Sequence, residues 1–148
     1  MSQATKQQLD AMAVADQLRP TLLQLGRELR REKIAGVSSQ QVALLVAIKY
    51  APGVTVGELA ADERVSTAAM SKRVSRLQRD GLVARTKSEA DRRCVGLTLT
   101  EEGQRTLRRV RSRRTAWLAS RLNGLSPAEL AAVGAAAEPL ARLLEERS

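Results

Sequence analysis

Residues 55–85 read TVGELAADERVSTAAMSKRVSRLQRDGLVAR, and the punctuation of this stretch decides the fold. Thr55 followed by Glu58 has capping-box spacing, in which a hydroxyl and a carboxylate satisfy each other's backbone amides at a helix start. A short helix through Leu59 and Ala60 follows. A turn over 62–65 leads to Ser66, a good N-cap, and a further helix is predicted to run to about Arg79. Asp80-Gly81-Leu82 ends it, because glycine takes the left-handed conformation freely and the leucine behind it packs back. The layout is a helix-turn-helix.

At 100° per residue the second helix puts Met70, Val74 and Leu77 on one face. Ala68, Lys72, Ser75, Arg76 and Arg79 fall on the other, with Ser66, Thr67 and Ser71 near its edge. The apolar stripe is a core face. The polar face suits a major groove: small residues permit close approach, hydroxyls bond bases or phosphates, and Lys or Arg reaches guanine or backbone oxygens. Simple solvation of a surface helix is the alternative reading of the same side chains.

Working outward, the chain changes period after Gly81. Leu82, Val83, Arg85 and Lys87 precede a polar stretch over 88–93, and Val95, Leu97 and Leu99 alternate, so two short strands flank a charged hairpin loop. That hairpin is a wing. Its tip holds Asp91, Arg92 and Arg93; an exposed arginine there suits the negative potential of a minor groove, and Asp91 is a brace rather than a contact. Upstream, Ser38 and Gln41 form another capping box before a helix containing Val42, Leu45, Val46 and Ile48. A first amphipathic helix is predicted over about 9–33, with Pro20 a site for a kink or a break. Downstream, Thr100 caps a long helix running to Asn123-Gly124. Ser126-Pro127-Ala128-Glu129 opens the last one, with Leu130, Val133, Ala137, Leu140 and Leu144 as its stripe. The fold class is therefore mainly α (α+β), six helices and a two-stranded β-wing.

Composition narrows the function. A length of 148 residues is about one domain, and 43% hydrophobic with 28% charged residues is an ordinary globular mixture. With no histidine and the single cysteine Cys94, a zinc finger, a His/Cys metal cage, a Ser-His-Asp triad and an intrachain disulfide are all excluded. No acid, base and nucleophile set converges, so neither an enzyme nor a cofactor or metal site is expected. Trp117 and Tyr50 are the only aromatics, too few for a base-stacking platform. The net charge of +9 is confined: residues 72–114 hold 14 basic and 5 acidic side chains, and the remainder is balanced at 11 of each. Such a confined excess is the footprint of a polyanion partner, for which duplex DNA remains open, with merely solvated Arg-rich helices as the alternative reading. No stretch of about 18 uncharged apolar residues and no signal-peptide pattern occurs, which predicts a cytoplasmic protein without a membrane partner.

Taken together, these motifs resemble the MarR family of winged helix-turn-helix regulators, and the resemblance covers nearly the whole chain. It runs through 39–45 (SQQVALL), 55–60 (TVGELA), Val65-Ser66, Met70-Ser71-Lys72 and 77–85 (LQRDGLVAR), then Asp91-x-Arg93 and 97–103 (LTLTEEG). It implies a single domain over 1–148, with a DNA-binding region at 38–100 and a helical dimerisation region at 5–34 and 101–148. It further implies a homodimer on an inverted-repeat operator, Arg93 in the minor groove, and a repressor released by a small phenolic or other anionic ligand. The residues that would bind that ligand are not marked in the sequence. Arg27, Arg30 and Lys49 are candidates to face its pocket, with solvent exposure as the default reading. Cys94 is read as a packed strand cysteine, with oxidation beside Arg93 as the alternative. The run Arg105, Arg108, Arg109, Arg111, Arg113 and Arg114 departs from the family pattern; solvation is its default, with flanking phosphates or acidic residues across the dimer as alternatives. An architectural or interaction winged-helix protein that binds DNA without an inducer is the second reading of the whole chain.

Overall fold

Helix starts in this chain are set by hydroxyl caps. Ser38, Thr55, Ser66 and Ser126 each accept the amide of the residue three places on, at 3.1–3.2 Å, and so satisfy donors that a helix leaves open at its N-terminus. The computed structural model describes residues 2–31, 33–87 and 95–145. Over these it shows α1 (Gln3–Arg30), α2 (Ser39–Tyr50), α3 (Val56–Asp62), α4 (Thr67–Arg79), β1 (Val83–Lys87), β2 (Val95–Leu99), α5 (Glu101–Leu122) and α6 (Pro127–Arg142). Chain contacts gather into two compact units, residues 1–111 and 112–148.

In the first unit the core is built from α2, α4 and the wing. Leu45, Ile48, Met70, Val74, Leu77 and Leu97 are completely buried, and Val110 from α5 is buried with them. The end of α4 is a Schellman motif. Gly81 has φ +77°, its amide bonds Gln78 at 3.0 Å, and the Leu82 amide bonds Leu77 at 3.0 Å, which turns buried Leu82 back beside Leu77. The chain leaves α4 directly into β1, which pairs antiparallel with β2 in the register Val83 with Leu99 through Lys87 with Val95.

Thr100 fastens the next junction. Its hydroxyl accepts the Gly103 amide at 3.0 Å and donates to the Gly81 carbonyl at 2.6 Å, while its own amide donates to the Leu82 carbonyl at 3.1 Å. The end of α4 and the start of α5 are thereby knitted into one piece.

Thr55 and Glu58 form only half a capping box, since Thr55 accepts the Glu58 amide but its hydroxyl, not its own amide, donates to the Glu58 carboxylate at 3.1 Å. Val46 on α2 is 37% exposed, and the last helix ends at Arg142, before Leu144. Three further expectations change in detail. First, α1 begins at Gln3 and ends at Arg30 rather than spanning 9–33, because Ile34 and Val37 bridge each other across Ala35-Gly36, both at positive φ. Pro20 does not divide this helix. Second, β2 does not bury its alternate side chains cleanly: Val95 is 37% exposed and Gly96 is buried. Gly96 lies against the backbone of Gly53, where an added Cβ would stand 2.7 Å from the Gly53 carbonyl oxygen. Third, Val54 forms an isolated bridge with Leu97 through two 2.8 Å bonds, Gly53 N–H to the Leu97 carbonyl and Leu97 N–H to the Val54 carbonyl. The root of the wing is thus tied to the loop between α2 and α3.

In the second unit the cap of α6 is complete. The Ser126 amide donates to the Glu129 carboxylate at 3.0 Å, and that bond with the Ser126 hydroxyl holds the Glu129 pKa below the ordinary carboxylate value. A group whose pKa falls on folding stabilises the fold above its unfolded value and loses that contribution as pH drops through its folded value. Hydrogen-exchange protection in the first turn of α6 should therefore weaken in acid. Glu129→Gln, which keeps the accepting oxygen, should remove this pH dependence; an unaltered profile would mean that another group governs it.

Candidate nucleic-acid interface

The two sides of α4 differ as the sequence spacing predicts. Met70, Val74 and Leu77 are wholly buried, whereas Thr67, Ala68, Lys72, Arg76 and Arg79 are exposed and Ser71 and Ser75 are half-buried. Ser66 is exposed too; its oxygen accepts the Ala69 amide, which leaves its proton and its second lone pair to reach outward. The core stripe fixes the rotation of the helix. Burial of three apolar side chains on one side forces the cations to the other, where each long stem can carry its charge into a groove.

Further support comes from the end of α4, where Arg85 on β1 donates to the Gln78 side chain at 2.8 Å and links wing to helix. The wing-tip residues Asp91, Arg92 and Arg93, and Cys94 beside them, lie outside the described residues. On α5 the basic run is partly neutralised: Arg105 pairs with Glu101 and Glu102, and Arg109 with Glu102, at 3.0–3.8 Å. Such exposed pairs contribute little stability, but they leave less free charge for DNA. Among the described residues, Arg108, Arg111 and Arg113 make no ion pair. The candidates Arg27, Arg30 and Lys49 are all exposed, and Lys49 stands 5.6 Å over the Tyr50 ring. Among the described residues, no group of three or more metal-ligating side chains gathers, and no helix is long and apolar enough to cross a membrane.

Beside α4 the surface opens into a cleft of about 470 Å³ that sequence reading does not anticipate. Lys33, Lys72, Arg73 and Arg76 line it together with the first turn of α2. Spacing along α4 places Arg73 between its two faces, but only packing against α2 and the 33–37 turn makes a cavity there.

A sequence model of the MarR family matches residues 37–95, the span from the start of α2 to the start of β2. Over a greater length, the HTH-type transcriptional repressor MdtR of Bacillus subtilis is 31% identical, covering 83% of this chain and 76% of its own. The chain belongs to the MarR family. A crystal structure of a putative transcriptional regulator from Pseudomonas aeruginosa has the same MarR fold, with TM-score 0.74 and 34% identity over 93% of this chain and 98% of that one. Streptococcus pneumoniae FabT, solved in complex with DNA, gives TM-score 0.54 and 25% identity over 93% of this chain and 96% of its own. This MarR protein is a DNA-binding transcriptional regulator with a winged helix-turn-helix.

Proposed function

We propose that this chain is a repressor that grips an inverted-repeat operator as a homodimer and lets go when a small phenolic or other anionic ligand binds. The observation that carries the reading is α4: exposed Thr67, Lys72 and Arg76 stand over a fully buried stripe of Met70, Val74 and Leu77, with half-buried Ser71 and Ser75 beside them. In this reading Ser66, Thr67, Ala68, Ser71, Lys72, Ser75 and Arg76 meet the major groove. Arg92 and Arg93 meet the minor groove, and Asp91 orients Arg93.

Dimerisation is supported by faces that a single copy leaves uncovered. Neither α1 nor α6 has a buried residue, and Leu9, Met12 and Leu23 are 56%, 64% and 59% exposed. On α6, Leu130 and Val133 are 45% and 47% exposed. Apolar area of this kind is stabilised when removed from water, and a second copy supplies a matching surface. Residues 5–34 and 101–148 would make that contact and leave 38–100 free to read DNA. Half-sites then fall about one helical turn apart, roughly 34–36 Å. Release requires that the ligand bind the DNA-incompetent dimer more tightly, since equal affinity for both forms shifts nothing.

Incubation of the purified protein with random duplexes at near-physiological salt, followed by sequencing of the retained DNA, tests the reading. Enrichment of one inverted repeat is the expected result. Retention without enrichment, with steep salt dependence, would replace it by an architectural protein that coats DNA.

A further inference from the structure

The cleft beside α4 collects positive charge from several sources. Lys33 comes from the turn before α2, and Lys72, Arg73 and Arg76 from α4, while Leu44 and Ala69 supply an apolar floor. No carboxylate is found among the described residues that line it. The start of α2 borders the same space, and its capping box spends the amides of Ser38 and Gln41 on each other's side chains. The Ser39 and Gln40 amides remain at the positive end of the helix dipole.

We infer that this cleft binds a phosphoryl group. A carboxylate brings a single charge to four cations, whereas a phosphate monoester brings about −1.5 to −2 and three strong acceptor oxygens. Two guanidinium forks match phosphate oxygens in shape as well as charge. The volume of about 470 Å³ exceeds that of a bare phosphate, so the occupant carries an organic body that rests on Leu44 and Ala69. Two sources offer this chemistry, a free phosphorylated metabolite and a strand phosphate of bound DNA. The cleft shares Lys72 and Arg76 with the polar face of α4, so a free phosphate there withdraws two cations from the groove and competes with DNA directly. That consequence rests on the DNA-reading role proposed for α4. Phosphoryl binding itself does not.

The test uses the full chain without DNA, titrated calorimetrically with inorganic pyrophosphate at ionic strength held constant with chloride. Arg73→Gln removes a charge from the cleft while leaving Lys72 and Arg76 in place, and Arg108→Gln removes one from an exposed position on α5 outside it. Saturable binding is expected, unchanged by Arg108→Gln and weakened about tenfold or more by Arg73→Gln, as for loss of a charge-assisted phosphate contact. Lys33→Gln, on the exposed turn, should repeat the loss, so a folding defect in one variant does not decide the matter. Binding that fails to saturate, or equal losses from Arg73→Gln and Arg108→Gln, would overturn the site and leave only the general field of a basic protein.

Duplex competition separates the two sources. For a metabolite site, pyrophosphate displaces the selected duplex while Arg73→Gln leaves duplex affinity unchanged. For a strand-phosphate site, Arg73→Gln weakens every duplex alike and lowers the salt slope by about one. Should no duplex be selected at all, the pyrophosphate titration still decides the cleft.

Discussion

Gly103→Ala is expected to lower the melting temperature by about 4–8 °C, although alanine is the better helix former. Propensity favours the substitution by about 1 kcal/mol. Packing opposes it more strongly, because the added Cβ would stand 2.2 Å from the Leu82 carbonyl oxygen and 3.2 Å from its carbon. The carbonyl cannot simply retreat, since it accepts the Thr100 amide at 3.1 Å. Overpacking against backbone costs about 1–3 kcal/mol, occasionally more, and an overlap this deep belongs at the upper end. A net loss of about 2 kcal/mol follows. Gly57→Ala provides the contrast: it lies in the first turn of α3, with Thr55 Oγ1 at 3.9 Å as its nearest neighbour, and should not lower the melting temperature. Thermal denaturation of the two variants tests both statements. An unchanged or higher midpoint for Gly103→Ala would mean that α5 shifts away from Leu82 without penalty.

Arg76→Ala should weaken binding to the selected operator by about 1–3 kcal/mol, roughly fivefold to 150-fold, with little change in thermal stability. The stability part follows from exposure: Arg76 makes no ion pair among the described residues and packs outside the core. Titrating a cognate and a scrambled duplex tells what the side chain touches. Loss on the cognate duplex alone identifies a base contact; a uniform loss with a shallower salt slope identifies a phosphate. Lys72→Ala should behave in the same way. Wild-type affinity on both duplexes would place these side chains off the interface.

Most of the fold is legible in the sequence because its boundaries are enforced by local chemistry. The pairs Ser38 with Gln41 and Ser126 with Glu129 announce helix starts through bonds three residues long, and both boxes form. Gly81 and Leu82 announce a stop that needs only the last turn of α4 to complete it. What escapes the reading depends on distant partners. Val54 has no periodic neighbours to mark it as a strand, yet it bridges Leu97 more than forty positions away. Gly96 interrupts the alternation of β2 because the Gly53 backbone approaches it, which no spacing within 95–99 reveals. On the candidate interface, the polar side of α4 follows from helical periodicity alone. Lys33 and Arg73 do not, because their joint cleft exists only after the 33–37 turn, α2 and α4 have packed together.

The three hydrogen bonds at Thr100 also limit how the molecule changes shape. They clamp residues 81–82, just past α4, to the first turn of α5. A helix held in this way has no joint at its C-terminal end, so α4 cannot swing alone within the winged region. Any signal that moves α4 must carry the wing and the start of α5 along as cargo. Within residues 1–111, helix, wing and the first turn of α5 then move as one casting, with no hinge between them.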